Sequence, residues 1–267
     1  MVLLMKKNKL FKTLIIILSI TSFQSLAENP YSAKRELGRP YQEYMVELEK
    51  VLEEGEQFEN NAGRTVMSSA VPYAGPSSVA SAPQWKSYSE VSSEFRRVRD
   101  TRHLRKNTSF PRRGFWFYPD DGCYVRAALM NRLSYLAGKK TPGKVFAFGN
   151  LRMKTPNSPR GAVGWWYHVA PIVQVGSTKY VFDPSMEISR PLTLDEWVSR
   201  MGKPENIKVA VCNSGAYVPG SLCGTVSKGE SYSLTHANIF LDREWQRMSL
   251  LKRDPKKDLG PNPPWYR

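Results

Sequence analysis

Apolar and aromatic residues follow different spacings in different parts of the chain, and the spacings predict both helices and strands. Between Tyr44 and Leu52, apolar residues recur at the period of one helix face, with glutamates mostly on the other faces. From Trp165 to Val173, almost every residue is apolar or aromatic, which is typical of a buried strand. We therefore predict an α+β fold.

A central helix is predicted to begin close to Cys123. Asp121 is the expected N-cap, because its carboxylate can accept a hydrogen bond from a free N–H at the helix start. Gly138 is the expected stop. The apolar stripe between them consists of Val125, Leu129, Leu133 and Leu136. Cys123 is therefore placed in the first helical turn.

A hairpin is predicted to follow the strand that contains His168. Gly176-Ser177 is a turn signal, and Lys179 to Asp183 is the expected returning strand, which Pro184 ends. A loop of Gly176 and Ser177 makes Asp183 a diagonal neighbour of His168 on one face of the sheet. A loop of Val175 and Gly176 puts the two residues directly opposite each other.

The first residues of the chain predict export. A positively charged flank precedes a largely apolar run from Leu14 to Phe23, and Ser25 to Ala27 offers small residues for cleavage. The run has about half of the ~20 apolar residues that a membrane-spanning helix needs, so we expect no membrane anchor after cleavage. Residues 1–27 are predicted to be a signal peptide cleaved after Ala27, and the mature protein to be secreted or periplasmic.

Export changes the interpretation of the three cysteines. In an oxidising compartment, Cys212 and Cys223 are the expected disulfide, because they close a short loop rich in Gly, Ser and Pro. Cys123 is then the free thiol. The cysteines and histidines lack the spacing of metal ligands, so we expect no metal site and no cofactor.

Charge divides the chain into an acidic and a basic part. Residues 28–67 contain nine Glu against five Lys and Arg, whereas residues 68–267 contain 30 Lys and Arg against 15 Asp and Glu. Residues 68–85, dense in Ser, Ala, Pro and Gly, are a predicted linker. We expect a catalytic domain at 86–251 and an extended tail at 252–267.

An acidic amphipathic helix joined to a basic domain suggests an inhibitory pro-segment. Residues 28–67 complement the domain in charge, and their apolar stripe needs a surface to cover. The alternative is a plain N-terminal helix that packs permanently on the same domain.

The excess of positive charge does not predict nucleic-acid binding. The densest run consists of Arg96, Arg97, Arg99, Arg102, Arg105, Lys106, Arg112 and Arg113. It contains no recognition motif, and an exported protein seldom meets nucleic acid. A basic surface that attracts acidic proteins or anionic envelope polymers needs fewer assumptions. A non-catalytic envelope-binding protein is therefore one alternative function.

The position of Cys123 favours a nucleophile. The partial positive charge of a helix start stabilises a thiolate, and its free N–H groups can bind an oxyanion. Gly122 lets a substrate approach the sulfur closely. The alternative is a small buried cysteine that only packs.

His168 and Asp183 are the expected base and its orienting carboxylate. In isolation, His168 could equally be a buried structural histidine and Asp183 a turn residue before proline. Their compatible register, together with a cysteine at a helix start, favours a catalytic triad. Trp165, Trp166 and Tyr167 could wall a substrate slot, although packing within the strand is the simpler role.

The order Cys, His, Asp on a helix start, a strand and the next strand resembles the transglutaminase-like fold of the papain-like superfamily. More specifically, four stretches resemble bacterial protein glutaminases, which are protein-glutamine deamidases. These stretches are Asp121–Ala127, Phe148–Leu151, Tyr167–Pro171 and Asp183–Ser185. The resemblance covers about Phe115 to Trp197 and extends more loosely to near Asn238. Thr193 to Glu196 is predicted to start the helix that follows with a capping box.

The resemblance implies an antiparallel sheet packed on the helix that bears the nucleophile, preceded by an N-terminal helical segment. It implies that Cys123 is the nucleophile, His168 the base and Asp183 the orienting carboxylate. The implied reaction is hydrolysis of glutamine side chains in proteins or peptides, through a thioester and with release of ammonia. It also implies a secreted pro-enzyme inhibited by its own residues 28–67. Transglutaminase-type acyl transfer to an amine is the alternative.

Overall fold

The computed structural model describes residues 64–104, 112–226 and 232–254, with the side chains of the last stretch described from residue 236. The predicted signal peptide, nearly all of the acidic segment 28–67, part of the basic run and most of the tail 252–267 lie outside the described residues. The predictions for these parts stay predictions.

A six-stranded antiparallel sheet lies at the centre of the described part. Its strands are β1 (Val71–Pro72), β2 (Gly143–Lys154), β3 (Ala162–Val175), β4 (Thr178–Val181), β5 (Leu192–Thr193) and β6 (Lys208–Cys212). They lie in the order β1-β6-β2-β3-β4-β5, so the two longest strands, β2 and β3, are in the middle of the sheet. Both are buried along most of their length, and for β3 the apolar run from Trp165 to Val173 predicted this.

Four helices accompany the sheet in the described part of the chain. They are α1 (Tyr88–Asp100), α2 (Cys123–Leu136), α3 (Leu194–Ser199) and α4 (Tyr232–Leu250). The helix α2 packs against β3 and against α4, and it is buried on almost every side. None of these helices is long and apolar enough to cross a membrane. The predicted α+β class, with an antiparallel sheet and helices, is confirmed.

The start of α2 lies one residue later than the predicted cap implies. Gly122, with φ 76°, occupies the cap position, and Cys123 is the first helical residue. The Asp121 carboxylate accepts a hydrogen bond from the Gly122 N–H (2.6 Å) and caps no helical N–H. The prediction of Asp121 as N-cap was therefore wrong by one position. The cap residue has a left-handed backbone, which only glycine adopts without strain. Gly138, with φ 65°, ends the helix as predicted.

The hairpin between β3 and β4 has the first of the two predicted registers. Val175 pairs with Thr178, so Gly176 and Ser177 form the loop, and Gly176 has a φ of 59°. The ladder continues past the end of β4, where the Phe182 N–H donates to the Pro171 carbonyl (2.9 Å). This pairing makes Asp183 the diagonal neighbour of His168.

The stretch 68–85, predicted to be a linker, packs along the domain in the structure. Its strand β1 pairs with β6. The Tyr73 hydroxyl donates to Asp195 Oδ1 (2.6 Å), and the Trp85 N–H donates to the Gln174 carbonyl (2.7 Å). The folded unit therefore begins upstream of residue 86. The Ser, Pro and Gly in residues 68–85 reflect an irregular backbone that packs on the domain, and not a separate linker.

Gly122→Ala is expected to destabilise the domain more than Gly138→Ala. Both glycines have a positive φ, so either alanine adds about 1–2 kcal/mol of backbone strain. Only at Gly122 would the new Cβ also meet other atoms, 2.8 Å from Phe115 and 2.9 Å from Phe240, whereas nothing lies within 4 Å at Gly138. Chemical denaturation measures both losses, and equal losses would contradict the expected crowding at Gly122.

Candidate active site

Cys123 lies at the first residue of α2 and is almost fully buried, with 3% of its surface exposed. It is the free cysteine, because Cys212 and Cys223 form the predicted disulfide. Its thiol belongs to a buried cluster that includes Phe115, Trp166 and Tyr167. The structure therefore places the thiol at the helix end, where unpaired backbone N–H groups are available.

His168 and Asp183 are brought together as the hairpin register predicts. The Nε2–H of His168 donates to Asp183 Oδ2 at 2.7 Å, and the two side chains are 0% and 4% exposed. Since Nε2 faces the carboxylate, Nδ1 is the nitrogen left for other chemistry. The carboxylate thus fixes both the tautomer and the orientation of the imidazole.

Two further donors hold the Asp183 carboxylate. The Trp197 indole N–H donates to Oδ2 (2.9 Å), and the Ser185 hydroxyl donates to Oδ1 (2.6 Å). Trp197 is the central residue of the short helix α3, whose start has the capping box predicted at Thr193. The carboxylate therefore has a partner on each oxygen in addition to His168, as a buried charge requires.

The two partners shift each other's titration. Burial on its own would lower the pKa of His168, but the charge and hydrogen bond of Asp183, and then Cys123, raise it above the ordinary value. Burial would raise the pKa of Asp183, but the charge and hydrogen bond of His168 hold it below its usual range. Near neutral pH, these directions favour an imidazolium and a carboxylate.

Cys123 and His168 are close enough to interact. After Asp183, hydrogen bonding with the Cys123 sulfur also raises the pKa of His168. Apart from this contact, the buried Nδ1 of His168 has no hydrogen-bond partner of ordinary geometry among the described residues. Sulfur is a weak partner, so Nδ1 is available to exchange a proton with the thiol or with a bound substrate.

Arg126 braces the loop that leads into the helix. Its Nη1–H groups donate to the carbonyls of Tyr118 (2.9 Å) and Asp121 (2.8 Å), and its guanidinium lies over the Phe115 ring. Its charge also lowers the pKa of Asp183. Arg126 therefore fixes the backbone just before Cys123 while adding positive charge to the site.

The three residues predicted to wall a slot are all buried and have different neighbours. Trp165 stacks on the His168 ring with a centroid distance of 4.4 Å, and its indole N–H donates to the Pro119 carbonyl (3.0 Å). Trp166 and Tyr167 instead belong to the cluster of Cys123. The alternation of faces is thus broken next to a pairing irregularity between β2 and β3. A role in binding substrate stays a prediction.

A cleft of about 680 Å³ is lined by residues that neighbour the site in the chain, although Cys123, His168 and Asp183 do not line it themselves. Its walls include Phe117, from the loop before Cys123, the end of β2 with the residues after it, and Pro184–Ile188, which follow Asp183 directly. Ser185 lines the cleft and also donates to Asp183. Ser185 therefore connects the cleft wall to Asp183 through a direct hydrogen bond. The described residues contain no group of three or more His, Cys, Asp and Glu that could hold a metal ion.

The other two histidines lie elsewhere. His103 Nδ1 lies 3.2 Å from the Thr101 carbonyl, and burial lowers its pKa. The His236 ring meets Tyr124 edge-on at 6.1 Å. Sequence reasoning named Trp165 only as a possible wall of a substrate slot and not as a neighbour of His168. It did not find Trp197 or Arg126 as site residues, although Trp197 directly follows the predicted capping box and a helix there was expected.

A family model described as glutaminase matches residues 91–201 of the 267, a stretch that contains Cys123, His168 and Asp183. No curated protein matches the chain. The match confirms, for this stretch, the resemblance to protein glutaminases that the motifs predicted.

Solved structures of protein-glutaminase are similar to the described chain at low identity. A crystal structure of pro-protein-glutaminase is 20% identical with a TM-score of 0.45, covering 62% of this chain and 59% of its own. A crystal structure of protein-glutaminase is 19% identical with a TM-score of 0.43, covering 62% and 90%. The NMR structure of protein-glutaminase from Chryseobacterium proteolyticum is 20% identical with a TM-score of 0.44, covering 67% and 95%. This chain thus spans about three fifths of the pro-protein-glutaminase chain.

Asp183→Asn is expected to lower the pKa of His168. The carboxylate's charge and hydrogen bond oppose the effect of burial, so without them burial should hold the imidazole below its ordinary pKa of about 6.5. In the wild type, the charged pair stabilises the fold below about pH 6.5, and this contribution is lost as the pH rises through the raised pKa. NMR titration of the His168 ring measures the pKa in each protein.

Ser185→Ala is the matched control for this titration. It removes a hydrogen bond from the same carboxylate but leaves its charge, so the pKa of His168 should stay raised. An unchanged pKa in Asp183→Asn would show that another group controls His168.

Proposed function

We propose that this protein hydrolyses the side-chain amide of glutamine in proteins or peptides, giving glutamate and ammonia. The observation that supports it most is the buried set of Cys123, His168 and Asp183 at the start of α2, within the stretch that matches the glutaminase family. Such a set supplies the nucleophile, the base and the orienting group that hydrolysis of an amide by a cysteine requires. It also supports the transglutaminase-like superfamily that the motifs suggest.

The proposed reaction has two steps. The Cys123 thiolate attacks the amide carbon, and the oxyanion that forms accepts hydrogen bonds from N–H groups at the helix start. The carbon–nitrogen bond then breaks as His168 Nδ1–H protonates the leaving ammonia, which leaves a thioester. His168 next takes a proton from water, the hydroxide attacks the thioester, and the thiolate departs as glutamate forms. An amine in place of water would give acyl transfer.

The cleft is the proposed binding surface for the polypeptide around the glutamine. Its walls mix apolar residues such as Met186 and Ile188 with polar ones, and Lys154, Glu187 and Arg253 supply charges of both signs. Such a mixed surface suits an extended or unfolded polypeptide segment, whose backbone and side chains offer both polar and apolar groups. The basic charge of the domain should favour acidic substrates.

We also propose that the protein is exported and that its signal peptide is removed after Ala27. The disulfide between Cys212 and Cys223 supports this proposal, because disulfides persist in oxidising compartments such as the periplasm or the exterior. The charged flank and apolar run at the start of the chain support it independently.

Inhibition by the N-terminal region is the proposed form of control. Thr65–Ala70, which spans the end of the acidic segment, lies along the disulfide loop: the Val66 N–H donates to Ser221 (2.9 Å) and the Met67 N–H to Pro219 (3.2 Å). Val66 is 0% exposed and belongs to the same buried cluster as Cys123. We propose that this segment is a cover that moves away before a glutamine side chain reaches the buried thiol.

Wild-type protein should release ammonia from a denatured, glutamine-rich protein without cutting its backbone. Cys123→Ala and His168→Ala should each abolish this activity, because they remove the nucleophile and the base. The control His103→Ala should keep it, since that residue contacts none of the three. One assay should follow ammonia, the small mass gain of amide-to-acid conversion, and incorporation of an added amine.

The outcomes of this assay separate the competing functions. Substrate that gains the added amine, and not the small mass increase of hydrolysis, would favour crosslinking. Peptide fragments would favour a peptidase. Ammonia release that is unchanged in Cys123→Ala would refute the proposed mechanism.

Val66→Ala, in a chain that retains residues 28–67, should raise kcat/KM. Burial of a valine contributes about 1.5–3 kcal/mol, so a chain truncated just before Val71 should gain at least about tenfold. Val66→Ala should gain part of this, whereas the control Val71→Ala, at a residue 38% exposed on β1, should gain none. Equal activity of the full-length and truncated chains would contradict inhibition.

A further inference from the structure

The phenol of Tyr167 is a buried polar group without a full hydrogen-bond partner. Tyr167 is next to His168 on β3 and is 2% exposed. Its Oη makes no hydrogen bond of ordinary geometry among the described residues. A buried hydroxyl of this kind lowers stability, so it persists where a function compensates for the loss.

The ring of Tyr167 is held so that the hydroxyl faces the nucleophile. Its aromatic neighbours are Trp166, with ring centroids 4.4 Å apart, Phe148 (6.4 Å) and Phe146 (6.5 Å). Cys123 lies in the same cluster, and its sulfur is close enough to interact with the phenol and to contribute to its raised pKa. The side chains of Tyr167 and His168 therefore both interact with the Cys123 sulfur. Each has a buried polar atom, the Tyr167 hydroxyl and His168 Nδ1, on this side of the site.

The phenol is a hydrogen-bond donor at neutral pH. Burial, and then the electrostatic effects of Cys123 and Asp121, raise its pKa well above the ordinary value, so it keeps its proton. A neutral donor in a dry site is what a developing negative charge requires. The sulfur itself is a weak acceptor and leaves the donor largely unused.

We propose that the Tyr167 hydroxyl donates a hydrogen bond to the oxyanion formed when Cys123 attacks the glutamine amide. This inference rests on the proposed function and names a second oxyanion donor beside the backbone N–H of Cys123. In each tetrahedral intermediate, the carbonyl electrons move onto oxygen as a bond to carbon forms. They return when ammonia or the thiolate leaves. Tyr167 keeps its proton throughout, and His168 transfers the protons.

Tyr167→Phe tests this role, because it removes the hydroxyl and keeps the packed ring. The kcat for ammonia release should fall about 100-fold, the typical loss for one oxyanion donor, with a smaller change in KM. The pH dependence of kcat should stay that of the wild type. The unfolding temperature should stay equal or rise, since the variant loses an unpartnered buried hydroxyl. Tyr180→Phe, on β4 and in a different cluster, is the control and should keep wild-type kcat.

The same variants should be assayed with p-nitrophenyl acetate, whose hydrolysis by Cys123 passes through an oxyanion without needing glutamine. If the wild type hydrolyses the ester but not glutamine, the proposed function fails. A 100-fold loss of ester turnover in Tyr167→Phe would still support the inference. If Tyr167→Phe matches the wild type on the ester, or only shifts the pH at which activity appears, the inference is wrong. If neither the full-length chain nor the chain truncated just before Val71 hydrolyses either substrate, both proposals fail.

Discussion

The buried hydrogen bond between His168 and Asp183 is the interaction on which the rest of the site depends. Removing both groups from water carries a large desolvation cost, which is recovered only where geometry is good and the remaining lone pairs are satisfied. Trp197 and Ser185 supply those partners from outside the hairpin. The strand, the loop after Asp183 and the helix α3 must therefore all be in place before the pair is stable, which couples assembly of the site to folding of the domain.

Features determined by neighbouring residues could be predicted from the sequence. The turn signal at Gly176 limited the hairpin to two registers, and either one brings His168 near Asp183. Apolar spacing placed Cys123 in the first turn of a helix, and the capping box at Thr193 was found because its residues are adjacent in the chain. The cap of α2 was predicted one position early, since a carboxylate and a glycine both favour a helix start, and the positive φ at Gly122 decided between them.

Features that depend on distant parts of the chain could not be predicted. Trp197 approaches Asp183 only because α3 folds back across the end of β4, and no local pattern gives that direction. The irregular pairing beside Trp165 turns it towards His168, against the strict alternation assumed for a strand. Composition marked residues 68–85 as a linker, but pairing of β1 with β6 is a tertiary contact that composition does not report.

The site and the proposed cover, Thr65–Ala70, are held by different kinds of contact. The three site residues are fixed by a sheet, a buried helix and a network in which the carboxylate has several partners. Thr65–Ala70 is held by a few backbone hydrogen bonds to a loop, each worth about 0.5–1.5 kcal/mol, and by burial of Val66. Displacing the segment leaves the hydrogen bonds between His168, Asp183, Ser185 and Trp197 intact. The geometry of the site can therefore form completely during folding, and the proposed inhibition by the N-terminal region acts on access to the site alone.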